Sequence, residues 1–162
     1  EQLRDSLKAF GGVIRRFTKI GDWNGVKIID DYAHHPVEIM ACLKAARAIQ
    51  GQGRVIAISQ PHRFSRLNDL FEDFAQCYRE ADIAVITPVF AAGEAPMEGI
   101  DHTALVNSMR GHGHKQAQTL EDLDALPSLV REIAKPGDMI VCMGAGSISA
   151  HANGLIEALE LA

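Results

Sequence analysis

The stretch VKIIDDYAHHPVEIMACLKAARAIQGQGRVIAISQ, residues 26–60, decides the fold class. Its first segment, through Asp31 and Tyr32, is a β-branched run that ends among titratable groups. PVEIMACLKAARAIQ (36–50) then carries Val37, Met40, Ala41, Leu43 and Ala48 at roughly helical spacing, with Pro36 suited to a first helical turn. RVIAISQ (54–60) is a short apolar run typical of a strand buried on both faces. Strand, helix and strand in that order form a βαβ unit, whose two strands lie parallel.

The same alternation extends outward from this unit. Upstream, VIRRFTKI (13–20) and GVKIIDDY (25–32) read as two strands joined by a turn at Gly21-Asp22-Trp23-Asn24-Gly25, with Asn-Gly supplying the positive φ of a hairpin. Downstream, RLNDLFEDFAQCYREA (66–81) reads as a helix, DIAVITPV (82–89) as a strand and DHTALVNSMRG (101–111) as a helix. HKQAQT (114–119) is a weak strand, and LEDLDALPSLVREIA (120–134) a helix restarted near Pro127. DMIVCMG (138–144) is a strand and SISAHANGLIEALELA (147–162) a closing helix. The expected fold is α/β: a mainly parallel sheet covered on both faces, with an antiparallel N-terminal hairpin.

Composition narrows the function classes. The chain has 162 residues, 47% of them hydrophobic, which suits one ordinary domain. A net charge of −5 opposes general affinity for nucleic acid or anionic membrane. Cys42, Cys77 and Cys142 are odd in number, widely spaced and set among apolar residues, so neither a disulfide framework nor a metal knuckle is indicated, and a reducing cytoplasm fits. The charged EQLRDSLKAF start has no signal core, and no apolar run approaches the ~20 residues that cross a bilayer.

In a parallel α/β sheet, ligands bind beyond the carboxyl ends of the strands. The residues there are Asp30, Asp31, Tyr32, His34 and His35; then Gln60, His62, Arg63 and Arg66; then Pro88 to Gly99; then GAGSIS (144–149). Each group has two readings. The aspartates and histidines of IIDDYAHHP can cap a helix, or grip ribose hydroxyls and anionic oxygens. Adjacent histidines diverge and no third ligand follows at metal spacing, so no structural metal site is expected. Arg63 and Arg66, three apart, would share a helix face and clamp a carboxylate or phosphate; the alternative is solvated surface. Arg15 and Arg16 in a strand would point to opposite faces, so at most one serves a given site. Gly144, Ala145 and Gly146 either admit an anion to a helix N-terminus or allow close strand-to-helix packing. FAAGEAPMEGI (90–100) is a candidate lid, with Glu94 a candidate contact and Glu98 a solvated side chain.

Taken in order, GVIRRF, IIDDYAHHP, QPHRFSR, VFAAGEAPMEGI and GAGSIS closely resemble the C-terminal domain of the Mur ligases, over nearly the whole chain. The resemblance implies a Rossmann-like three-layer αβα sandwich over residues 13–162, preceded at 1–12 by the remnant of an interdomain linker and helix. It implies an ATP-dependent ligase of three domains, with the UDP-sugar on the first, ATP and magnesium on the second, and this domain closing over both. The motif set is most similar to the branch joining L-alanine to UDP-N-acetylmuramate through an acyl phosphate. A branch joining a preformed tripeptide to the same sugar nucleotide stays open, as does a non-catalytic nucleotide-binding module. By resemblance, Arg16 reaches the ATP phosphates, Asp31 lies near the nucleotide ribose, and Gly144, Ala145 and Gly146 border the nucleotide. His34 and His35, with His62, Arg63 and Arg66, face the reacting carboxylate and the incoming amino acid; Tyr32 and Glu94 are further substrate-side candidates. The sequence has no GxxxxGK[ST] phosphate loop. Alone, it is therefore expected neither to hydrolyse ATP nor to form the amide.

Overall fold

The computed structural model describes residues 15–161. In chain order these form β1 (Thr18–Trp23), β2 (Val26–Asp31), α1 (Pro36–Gln50), β3 (Val55–Ser59), α2 (Phe64–Asp69), α3 (Phe71–Gln76), β4 (Ile83–Ile86), α4 (His102–Gly111), β5 (Ala117–Thr119), a 3-10 turn (Leu123–Ala125), α5 (Leu126–Ile133), β6 (Met139–Met143) and α6 (Ile148–Glu160). One six-stranded sheet runs β1-β2-β6-β3-β4-β5; β1 is antiparallel to β2 and the other pairings are parallel.

The centre of the sheet is buried on both sides because β3, β4 and β6 are almost wholly apolar. Along β6, Met139, Val141 and Met143 enter one core with α1, α3 and α4, while Ile140 and Cys142 enter the other with α5 and α6. Helices on both faces make the expected three layers. Cys42, Cys77 and Cys142 are buried free thiols.

Four local expectations need correction. The hairpin turn is tighter than expected: Gly21, Asp22 and Trp23 belong to β1, and only Asn24 and Gly25 turn, both at positive φ (47° and 79°). Gly21 sits beside a register shift, and a side chain there would collide with Ile156 of α6, so the missing Cβ lets that helix cover the edge strand. In α1 the buried face is Pro36, Ile39, Cys42, Leu43 and Ala46; of the expected apolar set only Leu43 is inside, and Val37 and Met40 are exposed. The helix is apolar around most of its circumference, so periodicity alone does not choose the face. The helix expected over 66–81 breaks at Leu70 (φ −120°, ψ 24°), which lets Leu67 of α2 and Phe74 of α3 reach the same core. Finally, Arg15 and Arg16 precede β1 in a turn, with Arg15 at φ 65° and Phe17 at φ 48°. Residues 1–12 and the expected strand start at 13–14 lie outside the described residues.

Candidate functional site

Strand register builds the site. Asp31 pairs with Met143, Met143 with Ser59, and Ser59 with Ile86, so four strands end level and their following loops leave from one edge. Backbone bonds tie those loops together: Tyr32 N–H donates to Arg15 O (2.7 Å), Gln60 N–H to Met143 O (2.9 Å) and Gly144 N–H to Asp31 O (3.2 Å).

Along this edge runs a continuous row of cationic and aromatic side chains. The guanidinium carbons of Arg15 and Arg16 lie 4.6 and 5.9 Å from the Tyr32 ring centroid, within cation–π range. Tyr32 meets His34 edge-on at 5.0 Å, and His34 meets His62 at 5.8 Å. His62 stacks on Phe90 at 5.4 Å with planes 14° apart. The arginine turn and three loops thus contribute to one surface. The expectation that Arg15 and Arg16 point apart does not hold, since a turn rather than a strand carries them. Arg15 is half-buried and donates to Gly144 O (2.7 Å), whereas Arg16 is exposed.

The two histidines of the DDYAHHP motif differ in their bonding. His35 is the N-cap of α1: its Nδ1 accepts from Val37 N–H (3.3 Å), and Glu38 returns a bond to the His35 N–H in a capping box. His34 places Nδ1 2.9 Å from Tyr32 O and 3.5 Å from the Glu38 carboxylate. The helix-capping reading thus accounts for His35 and leaves His34 free to face the edge. Burial, then the neighbouring charge of Arg66, hold the His62 pKa below its ordinary value and keep the ring neutral.

Opposite this row stands a carboxylate clasp. Glu94 accepts from Ser65 Oγ (2.6 Å), Ser65 N–H (2.9 Å) and Arg63 Nε (2.7 Å). The Ser65 hydroxyl and amide, then the Arg63 guanidinium, pull its pKa down to about 2. The shared helix face expected for Arg63 and Arg66 is not formed. Arg63 is the N-cap of α2 at φ 72° and is held by Glu94, whereas Arg66 folds back onto His62, with Nη1 3.1 Å from its carbonyl and 3.2 Å from its Nδ1. Arg63 remains 49% exposed, leaving its terminal nitrogens open to a ligand carboxylate. The 90–100 loop is anchored at Phe90, which bonds Pro61 O and Arg63 N–H (both 2.8 Å), and again at Glu94; Glu98 is exposed.

Asp31 is buried, and its two oxygens take the amides of Ala33 (2.7 Å) and Phe17 (2.6 Å); here it fixes the loop and the arginine turn. Gln60 caps the last loop, accepting from Ile148 N–H (3.1 Å) and donating to Ser147 Oγ (3.1 Å). A Cβ on Gly146 would stand 2.5 Å from the Phe90 ring, and one on Gly144 2.8 Å from Ile148, so both glycines have a packing reason of their own. Ala145 lies between them, half-buried. Phe90 and Ser65 carry no assignment from the sequence, and Arg15 joins Arg16 at Tyr32 where strand alternation allows only one of them. Only an aromatic stranded in a Gly/Ala/Pro loop hinted at Phe90.

Among the described residues no three His, Cys, Asp or Glu side chains converge as a metal site. Nor is any described helix long and apolar enough to cross a membrane. An exposed arginine, two open guanidinium nitrogens and aromatic faces fit phosphate and carboxylate groups on a mobile ligand.

The family profile described as Mur ligase, glutamate ligase domain, matches residues 15–146. UDP-N-acetylmuramate--L-alanine ligases of Ruegeria pomeroyi and Rhodospirillum centenum are 58% and 55% identical, each over 99% of this chain. The chain spans about a third of their length (34% and 33%). Among solved structures, the UDP-N-acetylmuramate-alanine ligase of Thermotoga maritima aligns with TM-score 0.75 at 26% identity, over 99% of this chain and 36% of that one. A murein peptide ligase from Psychrobacter arcticus gives 0.75 at 27%, over 96% and 32%. A single domain assigned to a UDP-N-acetylmuramate:L-alanyl-gamma-D-glutamyl-meso-diaminopimelate ligase of Haemophilus ducreyi gives 0.66 at 27%, over 89% of this chain and 99% of that one. With family profile, sequence identity and overall fold in agreement, the chain belongs to the Mur ligase family, of which it carries the C-terminal domain.

Proposed function

We propose that this chain is the closing domain of a cytoplasmic ATP-dependent ligase that joins L-alanine to UDP-N-acetylmuramate in peptidoglycan precursor synthesis. The observation carrying the reading is the single edge on which Arg16, Tyr32, His34, His62 and Arg63 assemble, in a chain 58% identical to an enzyme of that name. ATP and magnesium are held mainly by a central domain, with Arg16 free to reach phosphate oxygens; bound nucleotide supplies the phosphoryl group that activates the muramate carboxylate. The residues of this chain position and neutralise charge. Arg63, oriented by Glu94, offers its terminal nitrogens to the amino-acid carboxylate, and Arg66 holds His62 in place. Asp31 and the Gly144–Gly146 loop act near the nucleotide through the backbone they fix.

Alanine-dependent ADP release by the intact ligase tests the reading. Arg63→Ala raises the KM for alanine, because loss of a desolvated carboxylate partner weakens binding by about 2–5 kcal/mol. An unchanged KM removes the clamp, and turnover with a tripeptide but not alanine replaces the substrate.

A further inference from the structure

The hydrogen-bond partners of the edge histidines fix which ring nitrogen carries the proton. A carbonyl oxygen can only accept, so His34 Nδ1, 2.9 Å from Tyr32 O, must be the protonated nitrogen. The Glu38 carboxylate 3.5 Å away favours the same arrangement. The neutral ring therefore turns a lone pair outward at Nε2. His62 is set the opposite way: a guanidinium can only donate, so its Nδ1 accepts from Arg66 Nη1 at 3.2 Å, and Nε2–H faces out. His35 is likewise an Nδ1 acceptor, from Val37 N–H. Three imidazoles close in sequence or space thus present one lone pair and two N–H groups.

Resting on the ligase reading above, we propose that His34 Nε2 takes the proton from the ammonium of the incoming amino acid, while His62 acts only as a hydrogen-bond donor to the activated carboxyl group. The ammonium gives one proton to the Nε2 lone pair, leaving a neutral amine and an imidazolium. Tyr32 O and Glu38 face the imidazolium at Nδ1. The amine lone pair forms a C–N bond at the carbonyl carbon of the acyl phosphate. As that adduct collapses, the C–O bond to phosphate breaks with its electron pair on oxygen, and a nitrogen proton leaves with the phosphate. The proton on His34 returns to water. His62 cannot substitute for His34: its outward nitrogen has no lone pair, and a second proton on its ring is opposed by burial, Arg66, the neighbouring His34 and Arg63. On the Tyr32 side of His34, the guanidinium carbons of Arg15 and Arg16 lie 4.6 and 5.9 Å from the Tyr32 ring centroid.

Two measurements test this. Long-range proton–nitrogen correlation spectra of the 15N-histidine chain, assigned with single His→Gln variants, read the tautomers directly. A domain relative of this fold has been crystallised by itself, which makes the chain a fair sample. The expected result is Nδ1–H for His34 and Nε2–H for His62 and His35; Nε2–H at His34 overturns the proposal. In the intact ligase, H34Q lowers amide formation on the order of 100- to 10,000-fold, the range for loss of a general base. Hydroxylamine, an amine that needs no base near neutrality, still traps the acyl phosphate as hydroxamate in H34Q, which shows the variant folded and competent in activation. Loss of hydroxamate together with amide assigns His34 to activation or folding and refutes the base role. Absence of hydroxamate in the parent enzyme refutes the ligase reading instead.

Discussion

Asp138→Ala tests how the sheet is closed at the end far from the site. The Asp138 carboxylate is 3% exposed and accepts from Arg54 Nε (3.0 Å), Arg54 Nη2 (2.5 Å) and Lys135 N–H (2.7 Å). It stitches the turn entering β6 to the residue before β3. Breaking a buried pair costs about 3–5 kcal/mol, chiefly because the survivor is left charged and dry. Here the survivor is Arg54, 33% exposed, which can turn to water, so the low end, about 3 kcal/mol, applies. For 162 residues the unfolding entropy near the midpoint is roughly 0.34 kcal/mol per kelvin, and the Tm should fall by about 9 °C. Arg54→Ala should cost more, since it strands a carboxylate that cannot reach solvent. Thermal unfolding followed by circular dichroism measures both. Substrate binding should survive, because five residues of β6 separate the pair from the functional edge. A Tm drop under about 3 °C, or a larger loss in Asp138→Ala than in Arg54→Ala, would refute the reasoning.

Gly146→Ala should push Phe90 off His62 and cost about 1–3 kcal/mol by overpacking; unchanged His62 ring-proton shifts in the variant would show that the contact is not tight. The depressed pKa of Glu94 gives stability that is complete above its ordinary value of 4.5 and is lost as pH falls toward about 2. Urea unfolding across that window should therefore be flatter in Glu94→Gln than in the parent, and parallel curves would contradict the clasp. His62, whose pKa is also depressed, contributes with the same sign, its stabilisation fading as pH drops below 6.5; His62→Gln should remove that slope.

The alternation of strands and helices was legible because β3, β4 and β6 are unbroken apolar runs, and α1 begins at Pro36 and ends at Gln50 as its spacing predicts. Which side of α1 faces inward was not, because Val37 and Met40 form a second apolar stripe that nothing local distinguishes from Ile39 and Leu43. At the site, residue types and their position after the strands were readable, but bonding was not. Whether His35 caps a helix or faces a ligand depends on a rotamer, and the Arg63–Glu94 pair joins residues 31 apart that only the closed loop brings together. The Arg15–Tyr32 contact is not legible in the sequence, because the strand period does not hold for residues that lie in a turn.

The three cysteines have a practical consequence. Burial pushes each thiol far toward the protonated form, Cys142 to about 12, so none is a competent nucleophile at neutral pH. A maleimide dye would therefore attach only where a thiol is added, for instance at the exposed Glu98 on the rim. Light emitted from that one position would follow movement of the 90–100 loop against the sheet, without first stripping the native sulfur atoms from this chain.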